Sequence, residues 1–377
     1  MVRPMKRDPL GPSAIGFCTI PIALGLLVTI VAVNLARRVR ADDAPPAKGA
    51  DAEALRFPQE KHLANLRQLT FGGQNAEAYF STDDRRLIFQ SARPPFQCDQ
   101  MFTMSIDGSD VKLVSTGKGK CTCGYYFHGD DRILFSSTHL ASPDCPPRPD
   151  YSKGYVWPIH DGHDIFTAKA DGSDLRRLTD APGYDAEATI SEDGKKIVFT
   201  SVRDGDLDIY TMNADGSDVR RLTNELGYDG GAFFSHDGKK IVFRAYHPKT
   251  DAEIADYKDL LAKRLIRPTT LELWIMDADG SNKHQITHLN AASFGPFMCP
   301  GDDRVIFASN VNDPKHAEDF DLFTVKLDGT GLEQVTFSPV FDGFPMFSHD
   351  GKKLVFASNR GAKAPHETNV FIADWVD

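Results

Sequence analysis

The chain has 377 residues, enough for one large domain with an N-terminal extension, and its 25% charged and 41% hydrophobic residues are ordinary for a folded globular protein. The formal net charge is -10, and the basic residues are scattered as pairs in turns. Nucleic acid is therefore excluded as an expected partner, because binding to phosphates requires concentrated positive charge.

The first element in chain order is an apolar segment between basic flanks. Residues 15–36 carry no charge and are long enough to cross a bilayer as a helix, and Arg37, Arg38 and Arg40 follow them. We expect residues 1–41 to be a hydrophobic helix that acts as a membrane anchor or as a cleaved signal segment. Both alternatives direct the chain to a membrane, and we predict an extracytoplasmic location, periplasmic or secreted, for the rest.

Residues 42–60 are rich in Ala, Pro, Asp and Lys, which predicts a flexible linker. From residue 61 to residue 377 the sequence repeats four short segments of alternating polarity. The clearest copy comprises residues 175–179, 186–191, 192–201 and 208–216, and its Asp193-Gly194 pair recurs as Asp237-Gly238 about 44 residues later. A period in the mid-forties with four strands is typical of a β-propeller.

The repeats predict an all-β, six-bladed propeller of four-stranded blades. Inner strands begin near residues 76, 122, 186, 230, 294 and 343. The last repeat lacks an outer strand, whereas the repeat region starts with a spare one at residues 66–70. We expect this N-terminal strand to complete blade 6 and close the ring, since closure pairs otherwise exposed strand edges.

All long insertions fall on one face of the predicted ring, which we call the loop-rich face, and the opposite face we call the short-turn face. The insertions are residues 92–98, 140–162, 247–270 and 311–319. Residues 250–264 have a helical pattern with Ile254, Tyr257, Leu260 and Leu261 on one side, and this helix is either a lid, a docking element or a surface decoration. Elaborated loops on a rigid scaffold are where binding usually occurs.

Residues 191–201 and 208–217 resemble the WD-like repeats of the TolB-type β-propeller family, and the resemblance extends over roughly residues 60–377. It implies the propeller fold. The same repeats serve periplasmic scaffolds, peptidase-associated propellers and some lyases, so the resemblance leaves the function open.

Four cysteines fall where blades 1 and 2 meet on the loop-rich face: Cys98, Cys121, Cys123 and Cys145. We expect one or two disulfides among them in an oxidising compartment. A metal site and unpaired thiols are the alternatives, although Cys-x-Cys is not the usual zinc spacing.

Acidic and aromatic residues at the starts of the inner strands form a candidate ligand site at the mouth of the channel. The members are Glu77, Tyr184, Asp185, Glu187, Tyr228, Asp229 and Asp342. A ring of carboxylates would attract a cation or a basic peptide end. The alternative is that the aspartates stabilise turns through their own backbone amides.

His160 and His163 form the tightest histidine pair on the loop-rich face and are the candidate metal ligands; a divalent cation is the one cofactor considered. His236 and His349 lie on the short-turn face and are discounted. No Gly-x-Ser-x-Gly element and no phosphate-binding glycine loop occur in the sequence.

These patterns favour a non-catalytic propeller scaffold that binds a protein or peptide through its loop-rich face and reaches the membrane through residues 15–36. The alternative is a metal-dependent, lyase-like enzyme acting on a carbohydrate. A third hypothesis, a scaffold facing the cytoplasm, would be supported by free thiols at all four cysteine positions.

Overall fold

The computed structural model describes residues 49–152, 154–313, 315 and 319–377. The predicted apolar segment at residues 15–36 lies outside these residues. Within the described ranges, no helix combines the length and the apolar character that a membrane span requires.

Six antiparallel sheets follow one another along the chain, and we call them blades 1 to 6. The inner strands are Gln74–Phe80, Cys121–Tyr126, Asp185–Ile190, Tyr228–Phe234, Ser293–Met298 and Asp342–Phe347. The second strands are Arg86–Ala92, Arg132–Ser137, Lys196–Ser201, Lys240–Tyr246, Arg304–Ser309 and Lys353–Ser358. The third strands are Gln100–Ser105, Asp164–Lys169, Asp208–Asn213, Glu272–Asp277, Asp321–Lys326 and Asn369–Trp375.

The outer strands of blades 1 to 5 are only two residues long: Lys112–Leu113, Arg176–Arg177, Arg220–Arg221, His284–Gln285 and Glu333–Gln334. Neighbouring inner strands pack against each other all the way round, and the inner strand of blade 6 packs against that of blade 1. The predicted all-β propeller with six blades is therefore the observed fold.

The sixth sheet differs because it receives strands from the beginning of the described chain. Leu63–Gln68 pairs antiparallel with Asn369–Trp375, and the short strand Ala50–Asp51 pairs with its other edge. A 3-10 turn at Glu53–Leu55 lies between these two strands. Residues 50–60, which the composition assigned to a linker, thus form part of the propeller.

The buried carboxylate of Glu60 helps to hold residues 50–60 on the propeller. Glu60 pairs with the guanidinium of Arg360 at 3.0 and 3.1 Å, and both residues are almost fully buried. Composition alone could not reveal the pairing, because the two residues are 300 positions apart in sequence.

The core lies between the blades and is formed mainly by the second strands. Each second strand carries a fully buried phenylalanine at the same position: Phe89, Phe135, Phe199, Phe243, Phe307 and Phe356. Both faces of these strands contact neighbouring sheets, so the phenylalanine and the two residues before it are apolar in every blade, as is usual for strands buried on two sides.

Aspartates on the short-turn face join three pairs of neighbouring blades. Asp84, Asp130 and Asp302 occupy the left-handed position of the turn between first and second strands, where blades 3, 4 and 6 have glycine. The Asp302 carboxylate accepts hydrogen bonds from the backbone amides of His236 and Asp237 of blade 4, both at 3.0 Å. Charged acceptors of this kind stabilise neighbouring backbone, since such bonds are stronger than neutral ones.

The insertions of blades 2 and 4 meet above the loop-rich face. Trp157–Pro158 from blade 2 and Leu265–Ile266 from blade 4 form a two-stranded antiparallel ribbon. The helix Asp251–Ala262 precedes the second strand of this ribbon and begins with a capping box between Thr250 and Glu253. The ribbon fixes two long loops relative to each other.

The blade 2 insertion is also joined to the blade 1 insertion by a disulfide between Cys98 and Cys145. Cys121 and Cys123 carry free thiols. The helix packs through Tyr257, Leu260 and Leu261, which are buried.

Candidate functional site: the axial chamber

Every inner strand contains a bulge that directs one residue towards the propeller axis. The bulged residues have left-handed backbone angles, with φ between 50° and 60°, and are Glu77, Cys123, Glu187, Gly231, Gly295 and Phe344. Four of the six are not glycine, although this backbone conformation costs a side-chain-bearing residue about 1 kcal/mol. The axis is therefore a place where the fold retains strained residues, as functional sites often do.

In blade 4 the axial side chain comes from the second strand. Arg244 forms an ion pair with Glu187 of blade 3, and only 7% of its surface is exposed. A Cβ atom at Gly231 would lie 1.9 Å from Nη1 of Arg244, and one at Gly230 would lie 2.6 Å from Oε2 of Glu187. These glycines make room for the ion pair.

Glu187 is saturated with donors besides Arg244. Its Oε2 accepts hydrogen bonds from the Thr200 hydroxyl at 2.7 Å, the Gly231 amide at 3.0 Å and the Tyr228 hydroxyl at 3.2 Å. Its ring of partners spans blades 3 and 4. A fully hydrogen-bonded buried charge pair fixes the geometry around it, and removing one member leaves an uncompensated charge.

Glu77 has far fewer partners. Its carboxyl group is hydrogen-bonded to the thiol of Cys123, and burial raises its pKa from 4.5 to about 7, against the opposing effects of that bond and of Arg244. Glu77 and Cys123 nevertheless keep some exposed surface. Because both lie at the bulges of inner strands, at the propeller axis, we assign this exposed surface to the axial channel, and we call this part of the channel the axial chamber.

The ribbon covers the axial chamber. Trp157 comes from the blade 2 insertion, yet its ring lies 5.2 Å from the Arg244 guanidinium and 6.1 Å from the ring of Phe294 in blade 5. Blades 2 and 5 are opposite each other in a six-bladed ring. Trp157 therefore crosses the mouth of the channel.

An aromatic layer forms the floor of the chamber. Tyr79, Tyr125, Phe233 and Phe297 lie two residues after the bulged positions of their blades, and their ring centroids are 5.4 to 6.4 Å apart. These side chains are at most 8% exposed. The layer separates the chamber from a small cavity at the short-turn end of the axis.

That second cavity has a volume of about 20 Å³ and is lined in part by Glu192, His236 and His349. His349 Nδ1 lies 3.0 Å from Glu192, and His236 Nδ1 lies 2.7 Å from Asp302. The volume suffices for about one water molecule, so this cavity is too small for a ligand. The carboxylate of Glu192 raises the pKa of His349 despite burial, which on its own lowers it.

The sequence-derived site is divided between two environments. Glu77 and Glu187 lie in the axial chamber, and Tyr184 and Tyr228 are buried beside it. Asp185, Asp229 and Asp342 do not line a channel mouth. They are fully buried inside their blades.

Each of these three aspartates contacts a basic side chain 18 residues later in the same blade. Asp185 binds Arg203 at 2.9 and 3.0 Å, Asp342 binds Arg360 at 2.5 Å, and Asp229 lies 2.9 Å from Nε2 of His247. Their carboxylates face these partners inside the blades and not a channel mouth, and their assignment to a ligand site stays a prediction. Their spacing along the repeat, read together with the cations, could have revealed the pairing.

His160 and His163 lie with ring centroids 6.0 Å apart. His163 is 2% exposed and its Nδ1 is 3.2 Å from the backbone oxygen of His160. Burial lowers the pKa of His163 to about 3 and that of His160 to about 4, so both imidazoles are neutral at physiological pH. No group of three or more His, Cys, Asp or Glu side chains suited to a metal ion occurs in the described ranges.

Two central residues, Arg244 and Trp157, were absent from the sequence-derived site. Arg244 replaces the threonine of the Lys-Ile-Val-Phe-Thr-Ser repeat, where blade 3 has Thr200 and blades 5 and 6 have Ala308 and Ala357. A charged residue at a position that is uncharged in the other five blades was the available signal. Nothing in the repeat pattern placed Trp157, since it belongs to an insertion.

Comparisons with known proteins agree with this architecture. The family model of the TolB beta propeller domain matches residues 148–260. Among curated proteins, an uncharacterized protein of Agrobacterium fabrum is 29% identical over 93 residues, which are 25% of this chain; the match spans only 30% of that protein's length.

Among solved structures, a TolB candidate from Agrobacterium tumefaciens has a TM-score of 0.51 and 18% identity over 81% of this chain and 91% of its own. A gluconolactonase from Xanthomonas campestris has a TM-score of 0.54 and 12% identity over 88% of this chain and 95% of its own. At such identities both likenesses show the fold alone. The six sheets show that the chain is a six-bladed β-propeller, and residues 148–260 match the TolB beta propeller domain.

Proposed function

We propose that this protein is a non-catalytic, extracytoplasmic scaffold that binds a protein or peptide through its loop-rich face. The observation that carries the proposal is a pair of exposed, stacked tyrosines in the blade 2 insertion. Tyr151 and Tyr155 are 49% and 60% exposed, and their rings lie nearly parallel with centroids 6.2 Å apart. Exposed tyrosines are the side chains that protein interfaces favour most, together with Trp and Arg.

The tyrosine pair is held on a firm base. Cys145 ties the insertion to blade 1 before the pair, and Trp157 ties it to the ribbon after the pair. The indole Nε1 of Trp157 donates a hydrogen bond to the Tyr155 hydroxyl at 3.1 Å. A loop that is ordered in advance loses less conformational entropy on binding, which favours affinity.

Further apolar side chains are exposed on the same face. Phe71, Leu140 and Leu226 are 44%, 58% and 39% exposed and lie in connections of blades 1, 2 and 4. Together with the tyrosines they give the face an apolar character that a solvated surface does not need.

The test is capture of partners from detergent-solubilised membranes by the full chain and by Tyr151→Ser/Tyr155→Ser, followed by direct binding of each recovered protein to the purified chain. The matched control is Leu175→Ser/Val219→Ser, which changes two exposed apolar residues near the short-turn face. We expect the tyrosine variant to lose partners that the control retains. Equal recovery by all three proteins would refute the proposal.

The carbohydrate lyase remains the alternative function. It requires a divalent ion, for which His160 and His163 were the candidate ligands. Metal analysis of the purified full chain decides between the two, because stoichiometric, tightly held Mn, Zn or Ca would favour the enzyme.

A further inference from the structure

The charges around the axial chamber do not balance. Glu187 is neutralised by Arg244, and the neighbouring Asp99 is paired with Lys120 at 2.8 Å. Glu77 is left without a cation of its own. Among the described residues, the Cys123 thiol and Arg244 favour its ionised form, and Lys120 also interacts with it electrostatically, but both cations already pair with another carboxylate.

A buried donor in the same chamber is also unsatisfied. Arg244 is only 7% exposed, and its buried Nε has no hydrogen-bond partner among the described residues. Its guanidinium occupies the axial position of blade 4, as the close approach to Gly231 shows. Leaving such a buried donor unpaired is unfavourable, so the arrangement favours a ligand that supplies an acceptor.

The opposite side of the chamber is apolar. Phe294, Phe341 and Phe344 of blades 5 and 6 form an aromatic cluster with ring centroids 5.3 to 6.2 Å apart. Phe341 and Phe344 retain exposed surface. The chamber thus offers a carboxyl group, a guanidinium donor and an aromatic wall.

We propose that the axial chamber binds an α-ammonium group together with the carbonyl oxygen next to it, as found in a free amino-acid amide or at the N-terminus of a peptide. The ammonium group pairs with Glu77, the oxygen accepts a hydrogen bond from Nε of Arg244, and an apolar side chain packs on the wall at Phe344. This site differs from the exposed tyrosine pair, so the proposal does not depend on the scaffold function.

The geometry also assigns a role to Trp157. Its indole covers Arg244, so a ligand reaches the guanidinium only when Trp157 moves aside. The ribbon beneath it consists of two residue pairs, Leu265 with Pro158 and Ile266 with Trp157. A change of the Trp157 rotamer admits the ligand, while the backbone pairs of the ribbon stay in place and continue to hold the loop.

Isothermal titration of the full chain in detergent with leucine amide tests the proposal. We expect saturable binding that Glu77→Gln weakens by about tenfold or more. Glu192→Gln is the matched control, because it removes a charge on the same axis below the aromatic layer and should leave the affinity unchanged. N-acetyl-leucine amide, which lacks the charge, should not bind.

Proton release provides a readout that needs no variant. Since the pKa of Glu77 is about 7, binding of an ammonium group should expel about 0.9 proton per ligand near pH 6. The number of protons released per bound ligand is measured by repeating the calorimetric titration in buffers with different ionisation enthalpies. A folded Glu77→Gln variant should release none.

A leucyl-alanyl-alanine amide distinguishes the two sources of the ligand. Equal affinity for the peptide and for leucine amide would identify a peptide N-terminus, and preference for leucine amide would identify a free amino-acid derivative. The proposal is overturned if leucine amide shows no saturable binding up to about 10 mM. It is equally overturned if binding survives Glu77→Gln unchanged or proceeds without proton release.

Discussion

Arg244 occupies the space that a side chain at position 231 would need. The guanidinium of Arg244 lies within 1.9 Å of the place where a Cβ atom of residue 231 would stand. Blade 4 thereby replaces the axial side chain of its first strand by one from its second strand. The exchange brings a cation to the axis, beside Glu187 of the neighbouring blade 3 and across the ring from Glu77 of blade 1.

Substitution of Gly231 tests this relationship. Gly231→Ala places a methyl group on Arg244 and should lower the free energy of unfolding by about 3 kcal/mol. Gly295→Ala is the control, because Gly295 has the same bulge position and nearly the same φ, but its nearest neighbour would be 3.4 Å away. It should cost only the backbone contribution of about 1 kcal/mol.

Urea denaturation of both variants provides the comparison. A difference of less than about 0.5 kcal/mol between them would mean that Arg244 can leave the axis without cost.

The stability of the protein should depend on pH through Glu77. Its pKa is 4.5 in the unfolded chain and about 7 in the folded protein, so the folded state holds the extra proton between these values. Stability contributed by this group is therefore lost as pH rises through that window, by up to about 3 kcal/mol. Glu77→Gln cannot titrate and should become more stable than the wild type at about pH 8.

Chemical denaturation of the two proteins across this pH range measures the effect. Below about pH 4 the difference should vanish, because Glu77 is protonated in both states. A constant difference at all pH values would contradict the raised pKa.

Asp302 should stabilise the contact between blades 4 and 5. Asp302→Gly keeps the left-handed turn that Gly194, Gly238 and Gly351 form in other blades, but it removes the acceptor of the His236 and Asp237 amides. We expect a loss of about 1–3 kcal/mol in thermal or urea unfolding.

Asp303→Ala is the control for this experiment, since it changes the neighbouring residue and leaves the Asp302 carboxylate in place. Its effect should stay below about 0.5 kcal/mol. Equal effects of the two substitutions would show that the carboxylate does not join the blades.

The disulfide between Cys98 and Cys145 should contribute substantially to stability. It closes a loop with a sequence separation of 47, for which the chain-entropy argument gives about 4 kcal/mol. A reductant should therefore lower the unfolding midpoint of the wild type. The Cys98→Ser/Cys145→Ser variant should start from the lower midpoint and respond to reductant no further; a further decrease would indicate that another cysteine pair had formed.

Local sequence patterns predicted the blades well because each blade is built from contacts close in sequence. Asp-Gly pairs mark the hairpins, and alternating polarity marks the strands, so the six inner strands were located within a few residues of their observed starts. The helix at residues 251–262 was likewise visible from its apolar spacing.

The site was predicted only in part, for a physical reason. Glu77 and Glu187 were found because they occupy equivalent positions in the repeats. The same alignment also selected Asp185, whose carboxylate forms an ion pair with Arg203. Whether a carboxylate lines the chamber or pairs with a cation depends on the side chains on and just after the second strand, such as Arg244 and Arg203. An alignment of the first strands does not include these side chains.

By itself the sequence determined the number of blades, the order of strands in each blade and the face that carries the long loops, because these follow from short-range periodicity and turn chemistry. Only the tertiary structure decided that Trp157 from blade 2 covers Arg244 of blade 4. It also decided that, within the part of the chain that the structure describes, both cations near Glu77 pair with other carboxylates. Both features arise only when the ring closes, because closure brings residues from distant blades to one axis. A local sequence pattern does not encode contacts between residues that are so far apart in sequence.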